Sequence, residues 1–353
     1  LAIQWSPMST TVRSATLSNF TEVAAQVGLD AAAMLREMNI DRRALTEPDL
    51  RIPAQACAEL LELSAARAGC PTLGLRMAES RRLSDFGEVS LLITHQATMR
   101  DALMTVVEYR ELLNESLVVH VEEHADVVIV REELLVGDQS QVSQAYELAI
   151  GVMYRLFRAL LGSRWRAQSV NFTHAPPADL TIHRRVFGPI VEFNCDFNGL
   201  TCRQSDLDAP NPSADPALAQ FAERYVRSLP NADRRSLSKD VQKALYLLLP
   251  LGDGSMTKVA AHLGLNERTL QRRLREEGAE FGGLLNQIRR DLTVRYLGNP
   301  NLAVSRVAGL VGYSRQTSFS RWFADEFGTS PSGWRATTLQ RDHLSRSAAA
   351  PPA

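Results

Sequence analysis

Lysine is almost absent from this chain of 353 residues: only Lys239, Lys243 and Lys258 occur, so arginine carries nearly all the positive charge. Cysteine is scarce too. The four (Cys57, Cys70, Cys195, Cys202) form no CxxC pair and no dense framework, which excludes a disulfide scaffold and reads as reduced, cytoplasmic thiols. No apolar run nears the ~18 residues of a spanning helix, so no membrane is expected as a partner. The opening "LAIQWSPMSTTVRSATLSNF" lacks the basic and apolar regions of a secretory leader. GxSxG, GxxxxGK[ST] and a GxGxxG following a strand are all missing, which removes the usual hydrolase and nucleotide-binding signatures; the chain is expected not to be an enzyme.

What is there is unevenly distributed. The net charge of −1 conceals two halves of opposite sign. Residues 231–353 hold 18 Lys+Arg against 11 Asp+Glu (+7), and the first 230 hold 21 against 29 (−8). A basic final third on a near-neutral chain fits a module that binds a polyanion.

The chain also writes one short passage twice. "GLNERTLQRRLREEG" (264–278) is followed by "GYSRQTSFSRWFADEFG" (312–328). Each has a small apolar helix before it ("MTKVAAHL", "VSRVAGLV"), a glycine at the turn, and a second helix bearing arginine. These are the parts of a helix-turn-helix. In the first copy Asn266 is placed to cap, and Leu270 and Leu274 share an inward face. Arg268, Gln271, Arg272 and Arg275, at offsets 0, 3, 4 and 7, line another face. Arginine forks suit guanine O6 and N7, and glutamine suits adenine N6 and N7. The second copy has one extra residue after its glycine, so Phe319 matches Leu270, Arg321 matches Arg272 and Phe323 matches Leu274. Arg315, Gln316, Thr317, Ser320 and Arg321 then form its DNA-facing set. "FGGLLNQIRRDLTVRYLG" between the copies predicts a connecting helix of about 16 residues, near 24 Å long.

Ahead of these repeats the pattern is mixed. Residues 10–80 show helical periodicity without strong strand signals, and two more helical stretches follow up to about residue 115. "SLVVHVEEHADVVIVREELL" predicts a hairpin about "EEHAD", and a long helix over 141–161, apolar on more than one face, fits burial or a dimer contact. "RAQSVNFTH" and "IVEFNCDFNGLTC" read as strands. The fold expected is therefore an α+β domain over 1–230, a linker at 231–237, an all-α domain over 238–340 with two helix-turn-helix subdomains joined by a helix, and a disordered tail at 341–353. His120 and His124 have a metal-like spacing, but a hairpin separates or extends them too far for one ion. His174, Arg184 and Arg185 are equally readable as effector-pocket lining or as residues that fix the fold.

"RTLQRRLREEG", "FSRWF" and "FGTSPSGWR" (327–335) make residues 238–336 resemble the DNA-binding domain of the AraC/XylS family of transcription regulators. Residues 170–212 are similar to the end of the N-terminal domain in regulators of the ornithine-utilisation type. The resemblance implies an N-terminal domain that binds a small-molecule effector and dimerises, and it leans toward activation; the alternative is a constitutive DNA-binding protein whose N-terminal domain is a protein-interaction module rather than a ligand sensor. The partners implied are double-stranded promoter DNA, RNA polymerase, an effector and a second copy, with no cofactor, metal or catalytic residue. One departure stands out. Where the family commonly carries basic residues after the position of Phe323, this chain has Ala324, Asp325 and Glu326. Those acids would repel phosphates, so the first copy is expected to carry more of the base readout.

Overall fold

A computed structural model describes residues 10–136, 142–229 and 236–337. Most of the expected linker and all of the expected tail lie outside those residues. The chain divides into two units, Leu1–Arg234 and Arg235–Ala353.

In the first unit β1 (Thr11–Arg13) pairs antiparallel with β2 (Arg51–Pro53) inside the stretch whose pattern predicts helices alone. Three residues are too few for alternation to show, so this correction comes from long-range pairing. The expected helices are present, among them Phe20–Gln26, Ala31–Glu37 and Ala54–Ala68. The main sheet contains β3 (Leu117–His124), β4 (Val127–Leu134), β5 (Ser169–Asn171), β6 (Val191–Glu192) and β7 (Gly199–Arg203), in the order β3-β4-β7-β5-β6. Only β5 and β6 run parallel.

The β3–β4 hairpin turns through just Ala125 and Asp126, with Ala125 at φ +46°. His120 and His124 therefore lie on one strand rather than across the turn, about 13 Å apart at strand rise. Among the described residues no group of three or more His, Cys, Asp or Glu could hold a metal ion.

Helix Ser143–Leu161 is the centre of this unit. Ile150, Tyr154, Leu156 and Phe157 are at most 1% exposed, and each such side chain contributes about 1.5–3 kcal/mol on burial. Only Ala159 of this helix is exposed. The expected dimer contact over 141–161 is corrected accordingly: the helix spends its faces on its own core, and Gln141 lies outside the described residues. A different surface is left apolar. Leu218, Phe221 and Tyr225 on helix Pro216–Ser228 are 41%, 56% and 47% exposed. Leu91, on the helix packed against it, is 39% exposed.

The second unit is all helix among its described residues: Leu237–Leu248, Met256–His262, Glu267–Glu276, Phe281–Gly298, Val304–Leu310, Gln316–Phe327 and 331–337. This is the α+β unit followed by an all-α unit that the sequence pattern predicts. The connecting helix is longer than expected, 18 residues from Phe281 to Gly298, or about 27 Å. It ends at Gly298, with Asn299 as its cap and Pro300 unable to continue the helical hydrogen bonding.

Candidate functional site

The two copies are built alike down to the backbone. Helix Met256–His262 ends with Gly264 at φ +66°, where Leu265 N–H donates to Ala260 O (2.8 Å) and Gly264 N–H to Ala261 O (3.0 Å). Helix Val304–Leu310 ends with Gly312 at φ +80°, where Tyr313 N–H donates to Ala308 O (2.9 Å) and Gly312 N–H to Gly309 O (3.0 Å). Both are Schellman caps, which need a residue with positive φ and so favour glycine. Val259 and Ala260 are buried before the first cap, Val307 and Ala308 before the second, at the same spacing from the glycine.

The next helix starts at Glu267 in the first copy, three residues past its glycine, and at Gln316 in the second, four past. That is the one-residue offset of the sequence alignment. Asn266 Oδ1 accepts from Thr269 N–H at 2.8 Å, the capping bond its position predicts. Arg315 holds the equivalent place and makes no side-chain cap. Leu270 and Leu274 are 0% and 1% exposed, and Phe319 and Phe323 are both fully buried.

Opposite those anchors lie the residues singled out for DNA. Arg268, Gln271, Arg272 and Arg275 are all exposed, as are Arg315, Gln316, Thr317 and Arg321, while Ser320 is half-buried. Arg272 Nη1 pairs with Glu276 Oε1 at 2.8 Å, four residues on. A pair this exposed is worth well under about 1 kcal/mol, so it leaves the guanidinium available.

One helix carries both copies. On the side of the first, Asp291 accepts from Tyr246 Oη at 2.5 Å, and burial pushes the Asp291 carboxyl up to about 6. On the side of the second, Trp322 Nε1 donates to Asn286 Oδ1 (2.8 Å), and Asn286 Nδ2 donates to Glu326 Oε1 (2.7 Å). Arg290 Nε meets Glu326 Oε2 at 3.0 Å. Arg289 donates to Val311 O (3.2 Å) and lies 4.9 Å over the Tyr313 ring. Glu326, expected as an anion facing phosphate, is thus a joint between the connecting helix and the second recognition helix. Asp325 remains exposed.

Glu277 is a second structural acid that sequence reading missed. It sits at the C-terminus of its own helix, where the dipole disfavours it, yet it accepts from the N–H groups of Leu237 (2.8 Å) and Ser238 (2.9 Å). It therefore caps the positive end of helix Leu237–Leu248. Partial burial pushes its carboxyl up, but these bonds outweigh that and hold it below its ordinary value.

In the first unit Arg184 is exposed, while Arg185 and His174 make contacts within the fold. Arg185 pairs with Glu79 at 2.5 Å. His183 Nε2 lies 2.8 Å from Glu147 Oε1, both buried, and His174 Nε2 lies 3.7 Å from the same oxygen. The His174 ring lies tilted against Phe172 and edge-on to Phe193, and burial lowers its pKa. His183 ties helix Thr181–Phe187 to helix Ser143–Leu161, and Arg185 ties it to helix Leu73–Glu79. A separate cavity of about 140 Å³ opens between β4, helix Ala54–Ala68 and helix Ser143–Leu161; His174, Arg184 and Arg185 do not line it.

Known proteins share this organisation. The model of the arabinose-binding domain of AraC transcription regulator, N-terminal, matches residues 28–211, and a helix-turn-helix domain model matches 259–337. The chain is 30% identical to the HTH-type transcriptional regulator VirS of Mycobacterium tuberculosis over 92% of this chain and 96% of that one. It is 25% identical to the Ornithine utilization regulator of Pseudomonas aeruginosa, over 89% of this chain and 93% of that one. The crystal structure of transcriptional regulator CdpR from Pseudomonas aeruginosa aligns over 86% of this chain and 96% of that chain, with a TM-score of 0.42 at 22% identity. A helix-turn-helix DNA-binding unit, a mixed α+β first unit and full-length relatives that regulate transcription lead to one conclusion: the chain belongs to the AraC family of transcription regulators.

Proposed function

We propose that the chain activates transcription by reading an asymmetric promoter site with its two unlike recognition helices, under control of an effector held in the first unit. The observation that carries this reading is the pair of exposed Arg- and Gln-bearing helices fixed to one connecting helix. Arg268, Gln271, Arg272 and Arg275 meet bases and phosphates in one major-groove segment, and Arg315, Gln316, Thr317, Ser320 and Arg321 in the next. Arginine contacts to phosphate supply affinity that falls with salt. The groove faces are about 34 Å apart, so a connecting helix of about 27 Å calls for bent DNA or a shallower second contact.

Bound in the cytoplasm as a homodimer, the protein covers two such sites, arranged as direct repeats because one subunit's site has no internal symmetry. The apolar surface of Leu91, Leu218, Phe221 and Tyr225 supports a self-complementary contact between first units. The effector acts by binding the DNA-competent arrangement more tightly than the incompetent one, and the competent form recruits RNA polymerase. Genome-wide mapping of bound sites with and without Phe221→Asp tests the layout. Paired asymmetric repeats that lose their second half in the variant are expected; symmetric palindromes, or occupancy unaffected by the variant, count against it.

A further inference from the structure

The cavity of about 140 Å³ in the first unit is close to the ~150 Å³ at which an engineered apolar cavity admits benzene. Its walls are mainly aliphatic, with Leu61, Val106, Leu148 and Met153 among them. Glu132 breaks that pattern. It stands on β4 in line with Val128, Val130 and Leu134, the inward face of the strand, and is 1% exposed. Among the described residues its Oε2 has no hydrogen-bond partner. A buried carboxyl without a partner is costly to keep, and such groups in a cavity mark binding sites.

The charged neighbours on the cavity are committed elsewhere. Arg81 gives its two Nη groups to the carbonyls of Ala15 and Thr16, although its Nε is unpartnered. Arg13 is held by Asp49 and the Asp85 carbonyl, and Arg110 donates to Val107 O. Asp85 and Arg82 also border the space, and Cys57, its thiol pushed up to about 12 by burial, stays neutral. Burial alone pushes the Glu132 carboxyl up to about 8, so at neutral pH it holds its proton.

We propose that this cavity binds a small amine, one ring or a short alkyl chain in size, whose ammonium group docks on Glu132 while its hydrocarbon body fills the aliphatic walls. The proposal rests on reading the first unit as the sensor. An anionic ligand or a neutral alcohol would leave Glu132 protonated and gain a single hydrogen bond from it. An ammonium gains an ion pair: R–NH3+ meets the Glu132 acid, the carboxyl O–H breaks, its proton leaves to solvent, and the carboxylate accepts the N–H bonds.

The test is calorimetry on the full chain with benzylamine, benzyl alcohol and benzoate at pH 6, 7 and 8. Benzylamine affinity should rise about tenfold per unit between pH 6 and 8, with close to one proton released at pH 6. Benzyl alcohol should bind without pH dependence, and benzoate more weakly than either. Glu132→Gln should abolish the pH dependence for benzylamine and keep benzyl alcohol binding, which shows the cavity intact. Equal, pH-independent binding of amine and alcohol, or tighter binding of benzoate through Arg81, overturns the amine assignment. Binding of none of the three overturns it as well. The sensor reading is judged separately by Ala149→Leu, which fills the cavity: a changed transcript profile in cells retains it, and an unchanged one removes it.

Discussion

Glu326→Ala sets two physical effects against each other with opposite signs. If Glu326 acted on DNA as a free anion, its removal would ease phosphate approach and tighten binding. The structure instead places Glu326 between Arg290 (3.0 Å) and Asn286 (2.7 Å), with Trp322 bonded to the same asparagine (2.8 Å). Bonds involving a charged group are worth about 1.5–3 kcal/mol each in protected settings. The Arg290 and Glu326 side chains are 30% and 22% exposed, so the lower end applies, and a total near ~2 kcal/mol is expected for the substitution. In a fragment of residues 231–353, a size for which 1 kcal/mol shifts Tm by about 4 °C, the midpoint should drop by roughly 8 °C. Promoter affinity of the full chain should fall, because the second recognition helix loses its tether. An unchanged midpoint together with tighter DNA binding would refute the joint and restore the electrostatic view.

Three further outcomes are expected. Glu132 has a folded pKa of about 8 against an unfolded value of 4.5, so its protonation stabilises the fold below pH 4.5 and that contribution is lost as pH rises through 8. Chemical denaturation across pH 6–8 should show the wild type losing stability relative to Glu132→Gln by about 1.4 kcal/mol per unit, and parallel curves would contradict this. His183→Ala leaves the buried Glu147 without its 2.8 Å partner, and should cost about 3–5 kcal/mol in a urea titration; a loss under about 1 kcal/mol would mean the pair is not the tie described here. Gly309→Ala meets open space at a helical position, and should stabilise the fragment by up to about 1 kcal/mol, read as a higher Tm.

The second unit was legible because its signals are local. Gly264 and Gly312 mark caps, Asn266 marks a helix start, and Leu270, Leu274, Phe319 and Phe323 mark the buried face, all within a few residues of one another. What joins distant segments was not legible. Nothing in "ADEF" announces that Glu326 will find Arg290, 36 residues back, or in "REEG" that Glu277 will cap a helix starting at Leu237. The β1–β2 pair failed for the same reason: each strand has three residues, and their partnership spans about 40. Periodicity makes helix Ser143–Leu161 apolar on more than one face, but it cannot say whether its own domain or a second subunit covers them. Glu132 did leave a trace. Alternation through Val128, Val130 and Leu134 puts it on the inward register of β4, where a carboxylate is out of place.

Sequence specificity of the full-length protein, measured on randomised DNA for wild type, Arg272→Ala and Arg321→Ala, tests the reading most directly. Each substitution should erase about 1–3 kcal/mol of discrimination at one base pair, and the two affected positions should lie in separate, dissimilar parts of the site. Unaltered preferences in both variants, or a uniform loss of affinity across all sequences, would contradict a pair of helices that read bases.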